Sequence, residues 1–151
     1  MKRRLVLAVL IGLIATLGAT LANTEELVCS AMRGRLVMPD GSAVAGVTVR
    51  RDWTWRGKSG QDVTRTDANG AFSFAEVPAK RGLLGFLPAE EAVMQRYFAL
   101  LDEGPFEFLY ITRRELSKNG ETQGADFNVR CTVGATPGHE GFAWGTCTLM
   151  R

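Results

Sequence analysis

The sequence predicts an all-β chain, one sandwich or barrel of about seven to eight short strands. Three observations carry this reading. Strand-like runs recur roughly every 10 to 15 residues, several alternate apolar and polar side chains, and Gly, Pro, Asp and Asn bound them. The 151 residues are 46% hydrophobic and 23% charged, which suits one globular domain and argues against a disordered chain.

The amino terminus reads as a targeting segment. Lys2, Arg3 and Arg4 form a basic region, Leu5–Gly18 is uncharged and mostly apolar, and Thr20 and Ala22 suit a cut after Ala22. We expect residues 1–22 to be a signal peptide and 23–151 the domain. An uncleaved anchor is the rival, since ~20 apolar residues span a bilayer, but segment length and flanks favour cleavage. Cys29 lies too far behind the apolar run for lipidation. The expected location is therefore periplasmic or secreted, with membrane contact only during export unless the segment is retained as an anchor.

Charge narrows the partners. The leader holds three of the 18 basic residues and none of the 16 acids, leaving 15 against 16 in the domain. Without a basic surplus, nucleic-acid binding loses its main driving term and is not expected.

Leu27–Met38 is the first extended run, closed by Pro39-Asp40-Gly41-Ser42, where Asp40 and Gly41 suit a tight hairpin turn. Gly46–Trp55 follows, with Val47, Val49, Trp53 and Trp55 at one parity. Arg51 interrupts that face, so the strand is expected to bend or reach an edge there. After the polar loop Arg56–Gln61 comes Asp62–Thr66, then Asp67-Ala68-Asn69-Gly70, then Ala71–Val77. Asp67, Asn69 and Gly70 between two such runs signal a hairpin. A calcium loop is not expected, because Arg65 stands where an EF-hand needs its first acidic ligand.

Residues 88–101 are ambiguous from the residues alone. Val93, Met94, Tyr97, Phe98 and Leu101 make a helical stripe that periodicity slightly favours. Pairing Met94–Leu101 with Phe106–Thr112 makes a hairpin instead, with Phe106, Phe108 and Tyr110 alternating, and the context favours that. A polar stretch, 113–124, leads to Asp126–Val133. Gly134–Gly141 is a loop, and Phe142–Leu149 is the last expected strand.

Two segments carry a resemblance. Gly34–Val37 with Asp40–Val49, and Thr66–Phe74 with Val77-Pro78, are similar to the two signatures of carboxypeptidase-regulatory-like domains, with Ala43 where that family usually has proline. The resemblance covers residues 33–78 and implies a transthyretin-like antiparallel β-sandwich. The remainder resembles a small uncharacterised bacterial family built on that module, in which Gln95–Leu101 aligns with a strand; this decides for the hairpin over the helix. The family brings no established chemistry. Hydrolases of the transthyretin-like type rest on several histidines, and this chain has one.

That residue, His139, lies in the Gly/Pro-rich loop beside Glu140. It lacks a second histidine at metal-site spacing and any recognisable triad partner. Trp53 and Trp55 with Arg56 could form an aromatic platform for a sugar or cation, with Trp144 as a further member, although their parity with Val47 and Val49 favours the core. Arg50-Arg51, Lys80-Arg81 and Arg113-Arg114 read as solvated doublets. These features imply a non-enzymatic binding module for a protein partner, of the inhibitor or immunity type, without cofactor or metal. Its contact surface is expected at the loops Arg56–Gln61, Lys80–Pro88 and Gly134–Gly141. A carbohydrate-binding module using Trp53 and Trp55 is the alternative, and a small hydrolase centred on His139 is the third reading.

Three cysteines in an oxidising compartment imply one disulfide and one leftover thiol. Cys131 and Cys147 would face each other across a hairpin centred on His139, which favours that pair and leaves Cys29 as a buried thiol. The two pairings through Cys29 stay open from sequence alone.

Overall fold

A computed structural model describes residues 25–83, 85, 87, 88, 91–140 and 143–150. The expected signal peptide, residues 1–22, lies outside the described residues, as do parts of the 80–88 loop and the start of the expected 142–149 strand.

Among the described residues twelve strands follow in order: β1 (Leu27–Cys29), β2 (Met32–Val37), β3 (Thr48–Trp55), β4 (Lys58–Arg65), β5 (Ala71–Phe74), β6 (Val77–Pro78), β7 (Val93–Leu101), β8 (Gly104–Arg113), β9 (Asn128–Thr132), β10 (Gly138–Glu140), β11 (Ala143–Gly145) and β12 (Cys147–Leu149). A 3₁₀ turn, Gly120–Thr122, lies between β8 and β9. Six strands form one sheet in the order β10-β11-β8-β7-β3-β4, four form a second in the order β12-β9-β2-β5, and β1 pairs with β6. The two larger sheets pack face to face. Met32, Leu36, Phe72, Phe74, Val129 and Cys131 from one meet Val49, Tyr97, Ala99, Phe108, Leu109 and Ile111 from the other. A smaller cluster of Val28, Cys29, Trp55, Val93 and Leu116 closes one end.

The all-β sandwich is the expected class, but its strands are more numerous. Leu27–Met38 divides into β1 and β2, Ala71–Val77 into β5 and β6, and the run ending at Leu149 into β11 and β12. Each division lets the chain change sheet. The 134–141 segment, expected as loop, contains β10, and Arg56–Gln61 is mostly β4. Only Arg56 and Gly57 turn there, both at positive φ (49° and 72°), as a two-residue hairpin requires.

The sandwich is also not purely antiparallel, because β2 and β9 run parallel, with Gly34 opposite Val129 and Leu36 opposite Cys131. The chain between them runs through β3, β4, β7 and β8 of the other sheet and returns past the 3₁₀ turn, which supplies the crossover that a parallel pair needs. Residues 93–101 are strand, paired from Val93 opposite Arg113 to Leu101 opposite Gly104.

Both signature turns prove to be corners between sheets. β2 and β5 belong to the four-stranded sheet, whereas β3 and β4 belong to the six-stranded one. Asp67 Oδ1 accepts the N–H groups of Asn69 and Ala71, at 2.8 and 2.9 Å. Asp40 Oδ1 accepts from the Ser42 backbone N–H and from its hydroxyl, at 2.9 and 2.6 Å. The turns meet on Leu36, whose N–H donates to Gly70 O and whose carbonyl accepts from Val44. Gly70 has φ 75°, and a Cβ there would run into the Leu36 carbonyl oxygen. Gly41 is likewise at positive φ, 85°.

The carboxy-terminal crossing uses the same device. Gly145, at φ 155°, packs directly on the Phe108 carbonyl, and Thr146 N donates to that oxygen at 2.9 Å. Past this point β12 joins β9, bringing Cys147 directly opposite Cys131, and the two form a disulfide. His139 is therefore not the centre of that pairing, because β10 and β11 make a separate hairpin in the other sheet. Cys29 is a buried thiol.

Candidate functional site

β3 lies between β7 and β4, and on its core-facing side Val49, Arg51 and Trp55 are buried while Trp53 is half-buried. Trp55 is 2% exposed and donates from Nε1 to Glu91 at 3.3 Å. Arg56 and Arg81 lie over its ring, 5.9 and 5.7 Å from the centroid. Arg56 also pairs with Glu91, and Arg81 bonds Glu26 and Glu91. Trp53 packs against the same small cluster and covers Gly60 of β4. These residues cap one end of the core and do not present a joint aromatic platform.

Arg51 is the first correction to the expected surface. It neither bends β3 nor marks an edge. At 1% exposure, it donates twice to Asp62 Oδ2, at 3.0 and 2.8 Å, and once to Ala75 O, at 2.8 Å. Its guanidinium lies 4.9 Å from the Phe74 ring centroid. Arg113, read as another solvated residue, is buried beside Glu121.

Glu121 organises this polar core. Oε1 accepts from Ser30 N and Gln95 Nε2, at 3.0 and 2.8 Å, while Oε2 accepts from the Ser30 hydroxyl at 2.6 Å. Tyr97 donates to Gln95 Oε1 at 2.6 Å, and Arg113 donates to the carbonyls of Leu27, Val28 and Ser117. Burial pushes the Cys29 thiol up to about 12 and raises the Tyr97 phenol well above its ordinary value. The network ties β1 and the 3₁₀ turn to the six-stranded sheet. Nothing in it reaches solvent as a nucleophile would.

The outer face of the six-stranded sheet offers a different arrangement. One row of directly opposed residues crosses all six strands: Gln61, Asp52, Arg96, Tyr110, Trp144 and His139. Directly opposed residues project from the same face, so Tyr110, Trp144 and His139 form an aromatic strip beside Arg96. A bulge makes this possible. Tyr97 opposes Leu109 but Phe98 opposes Glu107, so Phe108 is the extra residue. The expected alternation of Phe106, Phe108 and Tyr110 on one face fails there, and Tyr110 turns outward while Leu109 and Ile111 enter the core.

Arg96 donates to both carboxylate oxygens of Glu107 at 2.8 Å. Arg96 and Arg50 close over Phe98, at 5.1 and 4.7 Å from its centroid. The cations are thus fixed against the sheet. A cleft of about 490 Å³ lined by Thr54, Arg56, Met94, Tyr110 and Thr112 runs alongside the strip. His139 is exposed next to Trp144, and its imidazole makes no hydrogen bond among the described residues. Among the described residues, no three His, Cys, Asp or Glu gather as a metal site.

Residues 32–136 match the family described as Domain of unknown function (DUF6795). The chain belongs to that family. Arg96, Tyr110 and Cys131 lie within the matched segment, and His139, Trp144 and Cys147 lie beyond it. No curated protein and no solved structure matches the chain.

His139 and Trp144 stand out in the sequence, whereas Tyr110, Arg96 and the buried Glu121 do not. The aligned row depends on the bulge in β8 and on β11 joining that strand, and neither has a local pattern in sequence. The disulfide is the clearest chemical marker and points to an oxidising, extracytoplasmic environment.

Proposed function

We propose that this chain is an extracytoplasmic, non-enzymatic binding module that receives a protein partner on the outer face of its six-stranded sheet. The observation carrying this reading is the aligned row Arg96–Tyr110–Trp144–His139 beside the Met94–Thr112 cleft. Tyr, Trp, Arg and Met are enriched at the cores of protein interfaces, and side chains held on a sheet lose little freedom on binding. The expected contact surface thus moves from the loops to a strand face. Export fits the disulfide and the basic-apolar order of residues 1–22, which we read as a cleaved signal peptide. We also read the sandwich as carboxypeptidase-regulatory-like, on the two motifs in 33–78.

A carbohydrate partner is the second reading, favoured by Tyr110 and Trp144 standing side by side. Site-specific photocrosslinking tests both. A photoreactive side chain at Thr112 should give a discrete protein adduct in cells, and Tyr110→Ala with Trp144→Ala should abolish it, each removing about 2 kcal/mol or more. Adducts unaffected by the double substitution would sink the protein reading. Glycan-array binding lost on Trp144→Ala would replace it with the carbohydrate reading, and a hydrolytic activity lost in His139→Ala would overturn both.

A further inference from the structure

We propose that the outer face of the four-stranded sheet is a second, separate binding surface, a cationic cleft for an acidic polysaccharide. Arg33 and Arg35 project from β2, and Arg130 of β9 stands directly opposite Arg35. Arg65, at the end of β4, joins Arg33 and Arg35 in lining a cleft of about 770 Å³. All four are exposed, and among the described residues none forms an ion pair. The near-neutral charge of the domain therefore conceals a segregated face.

Two of these guanidiniums are held for an anion. Arg35 donates from Nε to Asn69 O at 2.8 Å, and Arg65 donates from Nε to Gly46 O at 2.8 Å. Each anchor uses the inner nitrogen and leaves the two terminal nitrogens without a hydrogen bond among the described residues. That is the fork that grips a sulfate, phosphate or carboxylate. Among the described residues Asp67 is the one acid lining the cleft, and its Oδ1 is committed to the N–H groups of Asn69 and Ala71. Asp40, beside the Arg130 end, is likewise bound to Ser42.

The remaining lining selects the polymer. Asn69, Ser73, Asn128 and Thr64 offer amides and hydroxyls to a hydroxyl-rich chain. An exposed aromatic platform for stacking bases is missing from the lining, since Phe72 is buried beneath Gly34. Arg33 and Arg35 are two residues apart on one strand, about 6.6 Å, and Arg35 and Arg130 are about 4.8 Å apart across the sheet. This grid meets repeated anionic groups along an extended chain.

Calorimetric titration of the purified chain tests this, with heparin and polygalacturonate as acidic probes, dextran as the neutral one, and a single-stranded oligonucleotide and polyglutamate as rival polyanions. Both acidic polysaccharides should bind at low salt and weaken steeply in 0.5 M salt, while dextran should not bind. Arg33→Ser with Arg65→Ser should weaken binding about tenfold or more at an unchanged melting temperature. Trp144→Ala should leave it intact, which separates this surface from the one on the other sheet. Failure of both acidic polysaccharides to bind would overturn the proposal. So would unchanged affinity in the arginine variant, or tighter arginine-dependent binding of the oligonucleotide or polyglutamate.

Discussion

Arg113 and Glu121 form an ion pair inside the protein: Arg113 Nη2 lies 3.2 Å from Glu121 Oε1, with side-chain exposures of 4% and 0%. Two charges out of water need hydrogen bonds to their remaining donors and acceptors. Here Ser30, Gln95 and three backbone carbonyls supply most of them, and Arg113 Nε alone of the pair's polar atoms is buried without a partner among the described residues. The pair fastens the short strand β1 to the end of the sandwich, where the apolar contact area is small.

Removing one charge should therefore cost more than the pair itself contributes. Glu121→Ala leaves the Arg113 guanidinium buried without its carboxylate and should destabilise by about 3–5 kcal/mol. Urea unfolding would measure it. A loss below about 1 kcal/mol would mean that solvent reaches Arg113 once the carboxylate is gone.

Gly70 gives a second expectation. Any side chain there must adopt positive φ and displace the Leu36 carbonyl, which accepts from Val44 where the two corners meet. Gly70→Val should cost at least the roughly 1–3 kcal/mol of such backbone strain. The unfolding midpoint of the variant reads this directly, and an unshifted midpoint would rule out the corner described above.

The sequence was informative where a local rule applies and silent where contacts are long-range. Asp67, Asn69 and Gly70 announced a turn correctly, because turn chemistry depends on neighbours in the chain. They did not reveal that the turn changes sheets, since β4 and β5 pair with β3 and β2 only in the assembled sandwich. Arg51 looked like a break in an apolar strand because Asp62, Ala75 and Ser30, its partners, come from other segments. Strict alternation would put Tyr110 on the face of Phe108, and one extra residue in β8 inverts that. Glu121 lies in a stretch that reads as polar loop, and its burial follows from Ser30 and Gln95.

Cys29 predicts a dependence on pH. Burial is the main cause that lifts its thiol from 9.0 to about 12, so the folded protein holds the proton where the unfolded chain has lost it. A folded value above the unfolded one gives stability that is complete below pH 9 and declines as pH rises toward 12. The slope there should be about 1.4 kcal/mol per pH unit. Tyr97, raised in the same direction by burial, adds to the alkaline loss. Cys29→Ala should flatten the portion just above pH 9, and native Cys29 should resist iodoacetamide at pH 8. An alkaline limb identical in wild type and Cys29→Ala would exclude the thiol as its source.

The disulfide carries the last expectation. Cys131 and Cys147 are 16 residues apart, and between them the chain leaves the four-stranded sheet, forms β10 and β11 in the other, and returns. β12 has three residues and lies at the edge of its sheet, so its pairing with β9 offers few hydrogen bonds to hold it. Closing a loop of this size restricts the unfolded chain by roughly 3 kcal/mol in the chain-entropy treatment. Cys147→Ala, or reduction with the thiols then blocked, should lower stability by about that amount. The loss should fall unevenly. Hydrogen exchange should rise first in Ala143–Leu149, because without the bond β12 keeps only its three-residue pairing, whereas β2, β3 and β7 stay enclosed by neighbours on both sides. The Tyr110–Trp144 strip would then lose its β11 member, so reduction should also weaken any ligand bound there. Uniform exchange across all strands after reduction would instead show that the bond stabilises the sandwich only as a whole.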